Sequence, residues 1–186
     1  GIVNGIDTET YDPAKDKLIA ANFTQKDLSG KEKCKKALMD EMGLGFPRET
    51  PLVGMVTRMT AQKGLDLVRG VLEELLLQNA GFVILGNGDY EYETYFNYIA
   101  SRFPGRAGVY IGYKDALAHR IYAGSDLLLM PSLFEPCGIS QMIAQRYGTL
   151  PVVRETGGLA DTVHPYNKYT GEGSGFSFAE YDAGQL

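Results

Sequence analysis

From Pro51 onward, short apolar runs alternate with stretches of helical periodicity, and that alternation restricts the chain to a narrow set of folds. Strands are predicted at residues 52–56, 82–85, 108–111, 127–130 and 150–153, with a weaker sixth at 175–178. Helices are predicted at 64–77, 90–103, 116–123 and 139–147, and Gly158 begins a short helix or turn. Repeated β-α units of this kind build a parallel sheet, and right-handed crossovers place helices on both of its faces. A closed barrel needs eight such units, more than 186 residues comfortably supply. The expectation is an open, doubly wound, mainly parallel six-stranded α/β sheet of Rossmann type.

Ahead of Pro51 the signals change. Residues 1–28 are rich in turn formers (NGID, YDPAKD) and read as a surface lead-in or interdomain segment, leaving 29–186 as the Rossmann-like domain. Ser29 and Glu32 have the spacing of a capping box before the basic helix KEKCKKALMDEMG. On that helix Cys34, Leu38 and Met42 recur on one face, so Cys34 is expected to point into the core. The same helix offers a surface to a partner domain or a second subunit. The chain opens on Gly1 and closes on YDAGQL without a helical pattern, so it is read as a piece of a longer protein.

Bulk properties exclude several function classes. A formal charge of -5 disfavours non-specific binding to nucleic acid or to an anionic membrane. No apolar run reaches the length of a membrane span. Two cysteines are too few for a disulfide framework or a thiolate zinc site, which points to a reducing cytoplasm. Two histidines without suitably spaced partners give no metal motif.

In a doubly wound sheet the loops after the strands converge on one edge, so the chemistry is sought there. The run LLLMPSLFEPCG carries a buried strand into a rigid loop with one carboxylate, Glu135, and then into a helix start. The peptide N–H groups of Gly138, Ile139 and Ser140 would seat a diphosphate. Arg58 and Lys63 stand between the first strand and its helix, where the helix dipole disfavours cations. They either hold an anion together with the helix N–H groups or are surface cations paired with acids. Gly86-Asn87-Gly88 falls short of a dinucleotide fingerprint and equally fits a tight turn. Cys137 is read as a lining residue rather than a nucleophile. Tyr113, at a strand end, is suited to stacking on a flat ring. Glu155 is a candidate second acid facing Glu135, of the kind a glycoside hydrolase would need. His119 is expected to be a helix-surface or satisfied core histidine, and Asp161 and His164 to share a structural hydrogen bond.

Taken together, VTRMTAQKGLDLV, VILGNGD, the segment from YIGYKDALAHR through FEPCGISQ to TGGLADTV, and GFSFAEYDAGQL resemble the carboxyl-terminal, nucleotide-binding domain of glycogen and starch synthases. The resemblance runs nearly end to end. It implies one half of a GT-B enzyme that transfers glucose, with retention, from a nucleoside-diphosphate-glucose to the 4-hydroxyl end of an α-1,4-glucan. ADP-glucose or UDP-glucose would be the donor, with no metal and no other cofactor. In that resemblance Arg58 and Lys63 bind the diphosphate, and Glu135 lies beside the transferred glucose. Cys137 and Gly138 reach the sugar hydroxyls by their backbone, with Ser140 near the distal phosphate. Tyr113 stacks on the base, and Gly157 and Gly158 form the turn near the sugar-phosphate pocket. Many related transferases hold the ribose with a second glutamate eight residues after the first; here that position is Ile143. The implied partners are an amino-terminal glucan-binding domain and the glucan acceptor, and the basic helix after Ser29 would serve a homo-oligomer. The competing readings are another retaining sugar-nucleotide transferase and a nucleotide-sugar-binding module without catalysis.

Overall fold

The computed structural model describes residues 4–186, and the first three residues of the lead-in lie outside the described ones. Six strands form one sheet: β1 (Leu52–Val56), β2 (Gly81–Gly86), β3 (Ala107–Ile111), β4 (Leu127–Met130), β5 (Leu150–Arg154) and β6 (Phe176–Phe178). Their order across the sheet is β3-β2-β1-β4-β5-β6, and every neighbouring pair is parallel. The chain winds outward from β1 through β2 to β3, then returns to the other side of β1 to continue with β4. That reversal leaves a crevice at the carboxyl ends of β1 and β4.

Helices α1 (Ser29–Glu41), α2 (Leu65–Leu77), α3 (Tyr90–Arg102), α4 (Asp115–Gly124), α5 (Ser140–Arg146) and α6 (Gly157–Thr162) complete the domain. Because strand side chains alternate in direction, the sheet feeds two cores. Leu52, Val83, Leu85 and Leu128 point toward α1, α4 and α5, where they meet Cys34, Leu38, Ile121 and Ile143. Met55, Phe82, Ile84 and Leu129 point to the other face, against Leu65, Val68 and Leu72 of α2 and Phe96 and Ile99 of α3. All six residues of β2 are buried, as a central parallel strand covered on both faces requires. The strands and helices fall within about two residues of their predicted bounds.

Two local expectations are corrected. No side chain caps α1: Leu28 occupies the capping position, and the Ser29 N–H donates instead to Asp27 Oδ1 at 3.0 Å. Glu32 reaches outward to Arg48, 3.1 Å away, so the capping box does not form. The segment 4–28 is mostly exposed, as expected, but it is not merely laid on the surface: isolated residues anchor it in the core without strands or helices of its own. Phe23 is buried, and Ile6, Tyr11 and Ile19 pack on the α1–α4–α5 side. Asp16 is the polar anchor: Tyr147 donates its hydroxyl proton to Asp16 Oδ2 at 2.6 Å, and His119 Nδ1 lies 2.7 Å from the same oxygen. Burial alone would raise the Asp16 carboxyl; the hydrogen bonds from Tyr147, His119 and the Leu18 N–H outweigh it and hold the group below its usual range. His119 is thus a core histidine, with Tyr11 stacked on its ring at 4.8 Å. Its buried Nε2 has no hydrogen-bond partner among the described residues. Cys34 faces inward as expected and meets the Ala21 carbonyl at 3.2 Å.

Candidate active site

The crevice between β1 and β4 is closed by two loops of opposite charge. After β1 the chain runs through Thr57 and Arg58 to a single 3-10 turn, Ala61–Lys63, before α2 begins. Gly64 separates turn from helix with a left-handed backbone, and a Cβ there would lie 2.0 Å from the Pro131 carbonyl oxygen. Only glycine allows the first loop to lie this close to the second.

That contact brings Lys63 to Glu135. The Lys63 Nζ is 2.5 Å from Glu135 Oε2, and the Ser132 hydroxyl reaches the same oxygen at 3.4 Å. Glu135 is only 7% exposed, so its carboxylate depends on that ammonium for compensation. Arg58 is exposed on the rim. Arg58, Lys63, Glu135, Gly138 and Ser140 line one cavity of about 180 Å³, together with Thr57, Ser132 and Ile139. Five of the predicted site residues therefore meet at one point. Among the described residues no set of three His, Cys, Asp or Glu side chains gathers as metal ligands.

The wall behind Glu135 is set by α6. The Gly158 N–H donates to the Glu135 carbonyl at 3.0 Å, and a Cβ on Gly158 would lie 2.1 Å from the Cys137 carbonyl oxygen. Gly157, at φ +47°, stands as close to the Glu135 carbonyl. These glycines therefore support the Glu135–Gly138 turn from beneath, and neither lines the cavity. Gln141, fully buried, spans the same turn, its Nε2 donating to the Cys137 and Gly138 carbonyls at 3.1 Å each and to Thr162 Oγ1 at 2.9 Å. At the start of α5, Ser140 Oγ accepts from the Tyr122 hydroxyl at 3.0 Å, and burial pushes that phenol up to about 12. Gly138 and Ile139 line the cavity, and among the described residues their peptide N–H groups donate to no backbone acceptor.

Tyr113 lies apart from this cluster. It follows β3, two strands away from β1 and three from β4, is 79% exposed, and donates its hydroxyl to Asp115 at 3.3 Å. Glu155 does not face Glu135; it is exposed and accepts from Ser177 Oγ at 2.7 Å. The Asp161–His164 hydrogen bond is absent, and the His164 N–H donates to Ser174 Oγ instead. Three further residues shape the site: Ser132 and Gln62, which the sequence places in the candidate loops without a role, and Arg154, which the sequence reading passed over. Ser132 is buried beside Glu135, Gln62 bonds the next loop, and Arg154 at the end of β5 donates to that loop's carbonyls. Each is a single polar residue with no periodic signal. A second, larger cavity of about 560 Å³ opens at the amino-terminal edge of the sheet around Lys31 and Lys35. Its ammonium groups are already satisfied, Lys35 by Asp126 at 2.7 Å and Lys31 by three oxygens.

A family model described as glycosyl transferases group 1 matches residues 40–186. The chain belongs to this family. Glycogen synthase of Bacillus cereus (strain B4264) is 54% identical to it over 183 residues, covering 98% of this chain and 38% of that protein. Glycogen synthase of Geobacillus stearothermophilus matches at the same identity and coverage. The chain thus spans about 38% of the length of the curated relatives it matches. Among solved structures, the catalytic domain of Starch Synthase IV from Arabidopsis thaliana, bound to ADP and acarbose, superimposes with a TM-score of 0.92. Identity there is 41%, and the match covers all of this chain and 39% of that one. Anabaena HepE in complex with UDP and glucose shares the fold alone, with a TM-score of 0.68 at 17% identity over 98% of this chain and 44% of that one. The six-stranded parallel sheet is therefore one half of a GT-B glycosyltransferase fold.

Proposed function

We propose that this chain is the donor-binding half of a glycogen or starch synthase. In this reading the whole enzyme moves glucose from a nucleoside diphosphate to the 4-hydroxyl end of an α-1,4-glucan, with the α configuration kept. The observation that carries the reading is the meeting of Arg58, Lys63 and Glu135 with the start of α5 in one cavity at the switch point. The likeness to glycogen synthases over 98% of the chain supports the same conclusion.

The chemistry follows from charge. The site holds two cations and one carboxylate, so it keeps one positive charge to offer a diphosphate. When the diphosphate enters, Lys63 shares its ammonium between Glu135 and a phosphate oxygen while Arg58 closes from the rim. Both cations stabilise the negative charge that grows on the leaving group as the glucosyl C1–O bond breaks. The acceptor oxygen bonds to C1 from the face the diphosphate leaves, which preserves configuration, and its proton passes to the departing phosphate oxygen. Glu135 stabilises the positive charge that develops on the sugar ring. Gly138 and the backbone of Cys137 hold sugar hydroxyls, Ser140 lies by the distal phosphate, and Tyr113 stacks on the base at the far end of the crevice. Gly157 and Gly158 hold the turn that carries these groups.

The glucan-binding surface belongs to the part of the enzyme outside this chain, and closure of that part over the crevice excludes water and aligns the acceptor. We place the enzyme in the cytoplasm. Titration of the chain with ADP-glucose and UDP-glucose tests the reading, with maltoheptaose as the control ligand. Binding of at least one donor, weakened in Lys63→Ala, is expected, and indifference to both donors refutes it. Alone, the chain is expected to show no glucan elongation; turnover comparable to an intact synthase would refute the division of labour.

A further inference from the structure

Arg154 is the last residue of β5, a position from which a side chain can reach both the loop after β4 and the segment after β6. Its guanidinium uses that position fully. Nε donates to the Ser132 carbonyl at 2.8 Å, Nη2 donates to the Leu133 carbonyl, and Nη1 lies 3.4 Å from the Ala179 carbonyl. Two successive peptide carbonyls are thus held by one rigid fork, a geometry that a lysine head cannot reproduce. The face of the guanidinium stacks over Tyr181 at 5.6 Å, and the Tyr181 hydroxyl donates to Asp66 in the first turn of α2, three residues after Lys63.

The loop so held carries Glu135. Ser132, gripped by Nε, is the residue whose hydroxyl meets Glu135 Oε2. On the opposite side the loop is stitched to the Lys63 turn. The Leu133 N–H donates to the Gln62 carbonyl at 2.9 Å, and Gln62 Nε2 donates to the Phe134 carbonyl at 3.0 Å. A third tie is the Gly158 N–H on the Glu135 carbonyl. The carboxylate therefore sits between a neutral attachment to the Lys63 turn and a cationic attachment to β5.

We infer that Arg154 is a positioning residue for Glu135: its fork on the Ser132 and Leu133 carbonyls sets where the carboxylate stands relative to Lys63 and the transferred sugar. The inference rests on the function proposed above for its catalytic consequence, and on the hydrogen-bond geometry alone for its structural one. Without the fork the loop keeps its ties to Gln62 and Gly158, so it shifts rather than unfolds. A displacement on the ångström scale of a group acting on the transition state lowers turnover while leaving donor binding to Arg58, Lys63 and Gly138 largely in place.

The test uses the intact enzyme with Arg154→Ala and Arg154→Lys. Arg154→Ala is expected to lower kcat by about 10- to 100-fold with donor KM changed less than about threefold. Arg154→Lys is expected to recover only a minor part, because its single head satisfies one carbonyl at a time. Millimolar guanidinium ion is expected to restore turnover to Arg154→Ala without raising its melting temperature. A kcat within about twofold of the parent refutes the inference, as does a joint loss of kcat and donor affinity that follows the loss of folded protein. Amide hydrogen exchange reads the same loop without any turnover. Faster exchange confined to residues 132–135 in Arg154→Ala supports the inference, and an unchanged or uniformly raised pattern overturns it. A parent enzyme that uses neither donor would refute the proposed function instead, with the exchange result still deciding the role of Arg154.

Discussion

Gly158→Ala is the sharpest perturbation of this site, because the obstacle to it is backbone rather than side chain. The new Cβ would stand 2.1 Å from the Cys137 carbonyl oxygen, 2.4 Å from Cys137 Cα and 2.5 Å from its carbonyl carbon. Ordinary contact begins near 3.4 Å, so the nearest atom is about 1.3 Å too close. No rotamer change relieves that overlap; either α6 backs away from the sheet or the Cys137–Gly138 turn moves into the cavity. Overpacking of this kind costs about 1–3 kcal/mol. At this chain length each kcal/mol is worth roughly 2–4 °C, so a melting temperature about 4–8 °C lower is expected for a 2 kcal/mol loss. Because the displaced turn carries Gly138, which lines the cavity and is proposed to hold the donor, donor affinity should fall by about tenfold or more. Gly45→Ala is the matched control, since a Cβ there meets nothing within 4 Å. Its melting temperature and affinity should both stay near the parent's. Differential scanning fluorimetry and isothermal titration with ADP-glucose or UDP-glucose provide the readings. A Gly158→Ala protein that matches the Gly45→Ala control in both would refute the claim that α6 braces the site.

Lys63→Ala removes the ammonium held against Glu135 and should weaken donor binding by about 10- to 100-fold, the worth of a hydrogen bond to a charged group. Titration of both proteins with ADP measures it, and equal affinities would exclude Lys63 from the diphosphate seat. Asp16→Asn replaces the carboxylate shared by His119 and Tyr147 and should lower stability by about 1–3 kcal/mol in urea unfolding. An unchanged midpoint would mean that the lead-in is not anchored there. Burial pushes Lys31 down to about 8, against a pull upward from Asp126. The unfolded chain then holds more protons than the folded one between pH 8 and the ordinary lysine value of 10.5. Stability should therefore rise through that window, by about 2–3 kcal/mol by pH 10. Above pH 10 the trend should reverse, because burial raises the phenols of Tyr147 and Tyr181 and the unfolded chain loses those protons first. Unfolding free energies of the parent and Lys31→Met across pH 7–10 check the first part; a rise that persists in the variant would assign it to another group.

Much of this protein was legible in its residue order. Alternating apolar and helical periods set the number and direction of the strands, because a parallel β-α unit is a local object with its own pattern. The same order placed Arg58, Lys63, Glu135 and Gly138 in loops that had to converge on one sheet edge. Pairing was another matter. Whether Glu135 meets Glu155 or Lys63 depends on the close approach at Gly64 and on which strands are neighbours, and those are facts of distance. The capping box failed for a similar reason: Arg48, distant in sequence, stands where Glu32 can reach it, and Asp27 supplies the acceptor for the Ser29 N–H. The lead-in carried no periodicity because its anchoring runs through isolated residues, Asp16 and Phe23, rather than through a repeating face. Arg154 was silent for the same cause, since a single arginine at a strand end reads as surface until the two carbonyls it grips are seen. Sequence alone determined the sheet and the edge on which chemistry occurs, because both follow from local period and handedness. Only the tertiary structure decided which charge faces which, because that is set by ångström-scale contacts between segments far apart in the chain.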